Sequence, residues 1–137
     1  MSARDAVKAH YAAYGSGDVD AVLATLAPDF RCAALNGETW ITDHDKARTV
    51  YTRNMADYPL QWTTMAGEIA LGDVVIKRET SLSADGSKPT TEAMPIYTVR
   101  DGLIARLDMP TGTAAWDNGS WRDAAPQNNA NTALENY

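Results

Sequence analysis

Ile96-Tyr97-Thr98-Val99-Arg100-Asp101-Gly102-Leu103-Ile104-Ala105-Arg106-Leu107-Asp108-Met109 reads as two β-strands folded back on one another. β-Branched and aromatic residues crowd both flanks, and Asp101-Gly102 is the kind of pair that a two-residue hairpin turn demands. Working outward, the same punctuation recurs. Asp85-Gly86 separates a strand over 74–83 from one over 90–100, and Gly72-Asp73 separates 74–83 from a strand over 60–71. These connections are too short for a parallel crossover, which takes about a dozen residues or more, so residues 60–109 are expected to form an antiparallel meander.

Upstream of residue 60 the apolar spacing becomes helical. Ala6, Val7, His10, Tyr11 and Tyr14 stripe a helix over 3–15, opened by Ser2 with Asp5 three positions on and ended by Gly15-Ser16-Gly17. Asp18 caps a short second helix with Val19, Val22, Leu23 and Leu26 on its apolar face, stopped by Pro28. Phe30 to Leu35 reads as a strand before the Asn36-Gly37 turn, and Trp40-Ile41 as a short extended piece. Thr42 and Asp45 resemble a capping box for a third helix over 43–57, with Ala47, Val50, Tyr51 and Met55 facing inward and Tyr58-Pro59 closing it. Three helices followed by a meander make an α+β domain over residues 1–109. Residues 110–137 are rich in Gly, Asn, Ala, Asp and Pro. They read as an irregular tail in which Trp116 and Trp121 are the main anchors.

Composition narrows the function. With 45% hydrophobic and 22% charged residues in 137, the chain can build a core without staples. A net charge of −6 disfavours nucleic acid, which needs a basic stripe, and anionic membrane surfaces. No apolar run is long enough to span a bilayer, and Met1-Ser2-Ala3-Arg4-Asp5 has no apolar signal region, so a cytoplasmic location is expected. Cys32 is a lone cysteine in a strand and reads as a small buried hydrophobe. His44, between Asp43 and Asp45, reads as part of a helix terminus. No Ser-His-Asp order, glycine-rich phosphate loop or metal-ligand spacing occurs, so any chemistry is expected to be acid/base work with no cofactor and no metal.

Tyr11-Ala12-Ala13-Tyr14-Gly15-Ser16-Gly17-Asp18, Gly72-Asp73-Val74-Val75 and Ile96 to Ile104 carry a resemblance, in that order, over about residues 3–109. The chain resembles the SnoaL-like branch of the nuclear transport factor 2-like superfamily, which includes ketosteroid isomerases, polyketide cyclases and limonene epoxide hydrolases. The resemblance implies a cone-shaped curved antiparallel sheet wrapped by three N-terminal helices, a cystatin-like α+β barrel. It also implies an apolar pocket for a small hydrophobic molecule and a homodimer. Fold alone does not assign a reaction, because the same cone hosts enzymes and non-enzymes.

Carried over residue by residue, the ketosteroid-isomerase general base falls on Ala34 and its oxyanion-hole tyrosine on His10. Its second oxyanion donor falls near Pro95, and a supporting tyrosine on Tyr51. Alanine cannot abstract a proton, so steroid-isomerase chemistry is not expected. The epoxide-hydrolase Asp-Arg-Asp arrangement is not met by Lys77-Arg78-Glu79-Thr80. The polyketide-cyclase branch uses an acid near the end of the last strand, for which Asp108 is the nearest residue, on the face of Ile104 if the strand alternates regularly.

The expected catalytic residues are therefore Asp108, His10 and Tyr51. His10 reads as a pocket acid/base or carbonyl donor, or else as a partly buried histidine bonded to a neighbour. Tyr14, Trp40, Trp62, Arg78, Glu79 and Tyr97 are the expected substrate-binding residues. The expected reaction is a cyclisation, isomerisation or dehydration of a hydrophobic carbonyl or polyketide-like substrate. The alternative is a non-catalytic ligand-binding or dimerisation module.

Overall fold

A computed structural model of the chain describes residues 2–57, 63–82 and 89–110. Trp62, the Tyr58-Pro59 helix end, the Asp85-Gly86 turn, and residues 111–137 with Trp116 and Trp121 lie outside the described residues.

Three helices come first, interrupted by two strands: α1 (Ala3–Ser16), α2 (Val19–Leu23), β1 (Leu26–Ala34), β2 (Thr39–Ile41) and α3 (His44–Asp57). Five strands follow: β3 (Thr63–Leu71), β4 (Val74–Leu82), β5 (Pro89–Ala93), β6 (Ile96–Arg100) and β7 (Leu103–Met109). The α1 start is the reciprocal capping box of Ser2 and Asp5, and Gly17 ends the helix at φ 76°, a left-handed conformation that costs glycine little. Asp18 caps α2 by accepting from the Asp20 and Ala21 N–H groups. At α3 the cap is Asp43, which accepts from the Lys46 N–H at 2.7 Å, rather than Thr42. Asp43 stands one residue nearer the first turn, where its carboxylate reaches an orphan donor.

The α2 helix ends well before Pro28. Thr25 turns both its N–H and its hydroxyl onto the Val22 carbonyl, at 2.9 and 2.6 Å, and the chain enters β1 at Leu26. Pro28 then sits inside the strand. The expected strand over 90–100 is two, β5 and β6, separated at Met94-Pro95. Proline has no N–H for the ladder, and its carbonyl instead accepts from the Lys77 N–H at 3.1 Å.

The curved sheet runs β2-β1-β7-β6-β4-β3, with β5 extending the pairing of β4. All its pairs are antiparallel except β1 with β7, which run parallel. The many residues between those two strands permit what a hairpin cannot. The Asp101-Gly102 hairpin has φ of 54° and 77°, as a primed turn requires. The helices cover one face of the sheet. Val7, Val22, Val50 and Tyr51 pack there against Phe30, Cys32, Val75, Tyr97, Val99, Ile104, Leu107 and Met109. Among the described residues no helix is long and apolar enough to cross a membrane.

One irregularity decides the polarity of β7. Thr98 pairs with Arg106 but Val99 with Ile104, which leaves Ala105 as an extra residue. This bulge puts Ile104 and Leu107 on the same buried face although they are three apart, and it turns Arg106 and Asp108 to the other face.

Candidate functional site

The α1 stripe delivers His10, Tyr11 and Tyr14 to the covered face of the sheet, because residues three and four apart share one side of a helix. Tyr51 arrives from α3, Glu79 and Lys77 from β4, and Tyr97 from β6. The rings form an edge-to-face cluster. His10 lies 5.5 Å from Tyr51 and 5.6 Å from Tyr97, Tyr11 lies 5.9 Å from Tyr97, and Tyr14 lies 6.3 Å from Tyr51.

Two hydrogen-bonded chains run through this cluster. In the first, Tyr97 donates to the Tyr11 hydroxyl at 3.2 Å, and Tyr11 donates to Glu79 Oε2 at 2.7 Å. In the second, His10 Nδ1 meets Thr25 Oγ1 at 2.7 Å, and His10 Nε2 meets the Tyr51 hydroxyl at 3.2 Å. Lys77 lies with its ammonium 5.5 Å from the Tyr11 ring centroid and pairs with Glu68 at 3.2 Å. Glu68 also pairs with Arg4 at 3.0 Å, tying the start of α1 to the sheet.

Burial sets the protonation states. Glu79 is 7% exposed, and loss of water raises its carboxyl to about 7, against the smaller opposing pulls of the Tyr11 hydrogen bond and the Lys77 charge. His10 is 3% exposed, and the same cause pushes its imidazole down to about 4, so the ring is neutral. Burial, with the Glu79 charge second, raises the Tyr97 hydroxyl well above its ordinary range. Tyr51 is raised too, again chiefly by burial. Glu79 is thus able to gain or lose a proton near neutrality, beside the Tyr51 and Tyr97 hydroxyls, which keep theirs. Among the described residues no three His, Cys, Asp or Glu side chains are grouped to hold a metal.

The structure brings together five of the expected site residues: His10, Tyr14, Tyr51, Glu79 and Tyr97. Trp40 packs half-buried against the same core from β2. It does not bring in Asp108. The Ala105 bulge reverses the face that regular alternation assigns to it, and both its carboxylate oxygens instead accept from Arg106 Nε at 2.9 Å. Arg78 is exposed on the outer face, since Val75, Lys77 and Glu79 take the inner one by strand alternation. Of the two readings of His10, the structure matches the buried histidine bonded to its neighbours, Thr25 and Tyr51, and burial lowers its pKa away from the near-neutral range of a pocket acid/base. His44 binds the Ala27 carbonyl through Nε2 at 2.7 Å and fastens α3 to β1. Cys32 is fully buried, with its thiol raised by burial.

Three side chains went unread in the sequence. Tyr11 lay on the α1 stripe as an apolar position, and its role depends on Glu79, which is 68 residues away. Thr25 fell inside the expected second helix, off its apolar face, whereas the structure places it in the link between α2 and β1. Asn54, 2% exposed on α3 one turn past Tyr51, is a buried polar residue that periodicity alone would have flagged.

Residues 7–107 match the SnoaL-like domain family. The chain has no match among curated proteins. Solved structures similar to it include an uncharacterised cystatin-fold protein from Novosphingobium aromaticivorans, with 22% identity and a TM-score of 0.65 over 80% of this chain and 97% of that one. A candidate polyketide cyclase from Sinorhizobium meliloti has 21% identity and a TM-score of 0.62, over 77% and 93% of the two chains. An epoxide hydrolase of M. tuberculosis, of the LEH-like type, has 21% identity and a TM-score of 0.59, over 79% and 80%. At these identities the likeness establishes the shared fold.

Proposed function

Because the chain belongs to the SnoaL-like domain family, we propose that it is a small-molecule enzyme working by cofactor-free general acid/base catalysis, with Glu79 as the group that moves the proton. One observation carries this reading. Glu79 is a buried carboxyl that stands at the end of a tyrosine chain with its pKa near neutrality. A general base works best when its pKa lies near the working pH. The relatives named for polyketide cyclisation and epoxide hydrolysis support an enzyme acting on small molecules.

In this mechanism the Glu79 carboxylate takes a proton from carbon next to the carbonyl of a hydrophobic or polyketide-like substrate. The electron pair left behind moves onto the carbonyl oxygen, and Glu79 returns the proton at another atom. Cyclisation, isomerisation and dehydration share that first step. Tyr11 steadies the ionised carboxylate by donating to Oε2, and Tyr97 orients Tyr11. The aromatic cluster keeps water from the carboxylate, which is what holds its basicity up.

The test is deuterium uptake from heavy water into a panel of hydrophobic ketones, followed by NMR. Wild-type protein should speed exchange at the carbon beside the carbonyl, and Glu79→Gln should lose about a hundredfold or more of that rate. Exchange that is equal in Glu79→Gln would remove Glu79 from the assignment.

A second reading, a non-catalytic ligand-binding or dimerisation module, is favoured by His10 bonding to structural partners and by Asp108 facing away. Ligand-induced stabilisation without any exchange would select it. Under either reading we place a second copy of the chain on the outer sheet face, where Ile69 and Leu71 are 67% and 83% exposed beside Val74 and Ile76. Light scattering on an Ile69→Glu variant, expected to be monomeric, checks this.

A further inference from the structure

Thr25 stands in the short link between α2 and β1, where its hydroxyl donates to the Val22 carbonyl at 2.6 Å. A hydroxyl has one proton, and a carbonyl can only accept, so that proton is committed. Toward His10 Nδ1, 2.7 Å away, Thr25 Oγ1 is therefore an acceptor, and Nδ1 must carry the ring hydrogen. With the buried ring neutral, Nε2 is bare and accepts from the Tyr51 hydroxyl at 3.2 Å.

We infer that Thr25 is a positioning residue: it fixes His10 as the Nδ1–H tautomer and, through Nε2, orients the Tyr51 hydroxyl toward the histidine. As a statement about catalysis this rests on the acid/base reading. There it directs the Tyr51 proton at His10 rather than at a substrate carbonyl, and leaves proton delivery to Glu79. As a statement about protonation it stands alone. His44 supplies the contrast: its Nε2 faces the Ala27 carbonyl, so that ring has its hydrogen on Nε2. The chain's two histidines carry opposite tautomers.

Long-range proton–nitrogen correlation spectra of 15N-labelled protein at about pH 8, above the ordinary histidine range, read the tautomers directly. The expected spectrum holds one ring protonated at Nδ1 and one at Nε2, with the second signal set removed by His44→Gln. Thr25→Ser should keep the Nδ1–H pattern of His10. Thr25→Val removes the acceptor and should move the ring proton to Nε2. A wild-type His10 protonated at Nε2 overturns the assignment even if Thr25→Val does not fold, and so does a Thr25→Val protein that keeps the Nδ1–H pattern. Failure of ketone exchange with the expected tautomers present discards the acid/base reading and leaves the Thr25 assignment in place.

Discussion

Tyr11 donates its hydroxyl proton to Glu79 Oε2 across 2.7 Å, joining the first helix to the fourth strand at a carboxyl raised to about 7. The pair makes stability and activity depend on one proton.

Glu79 should make the protein less stable as pH rises. A carboxyl whose folded pKa is above its ordinary 4.5 keeps its proton in the native state after the unfolded chain has lost it. Stability from this group is full below about 4.5, falls up to about 7 and is level beyond. The span corresponds to about 3 kcal/mol. Glu79→Gln, which retains an acceptor for Tyr11, should therefore be more stable than wild type in urea melts at about pH 8, while losing ketone exchange.

His10 should act in the opposite sense. Its pKa falls from 6.5 unfolded to about 4 folded, so the unfolded state binds the extra proton, and stability is lost as pH drops through that window, again by about 3 kcal/mol. Between about 4.5 and 6.5 the two slopes offset each other. The contribution of these two groups in wild type should be nearly flat there. Denaturant melts of Glu79→Gln should show stability rising with pH across that window, and those of His10→Gln should show it falling. Two parallel profiles would contradict the paired assignment.

Tyr51→Phe removes the donor to His10 Nε2 and leaves a buried ring nitrogen unsatisfied. The expected loss is about 1–3 kcal/mol, read as a lower thermal midpoint, with the Nδ1–H tautomer of His10 retained because Thr25 still accepts.

Asp108→Asn should leave ketone exchange unchanged, since the Ala105 bulge turns Asp108 away from the aromatic cluster. Its pair with Arg106, whose side chain is 45% exposed, should cost less than about 1 kcal/mol when broken. A large drop in turnover with intact folding would return Asp108 to the site.

Local signals decided much of this chain. The Ser2/Asp5 box, the Asp18 cap, and the Gly17 and Asp101-Gly102 turns are written in neighbouring residues, because caps and turns close within a few positions. The α1 stripe likewise announced that His10 and Tyr14 face inward. The α+β class and the order of its elements follow from such short-range patterns.

What neighbouring residues could not determine was which partners those side chains would find. The Ala105 bulge depends on how β7 must meet both β6 and β1, so the reversal of Asp108 is a property of the sheet and not of the strand. The parallel β1–β7 contact joins residues about 75 positions apart by partners such as Cys32 and Leu107. Glu79 becomes a near-neutral acid only when α1 closes over β4 and removes its water. His10 loses its charge for the same reason. Periodicity states which face a residue occupies, whereas desolvation and long-range hydrogen bonds exist only once the faces have been brought together.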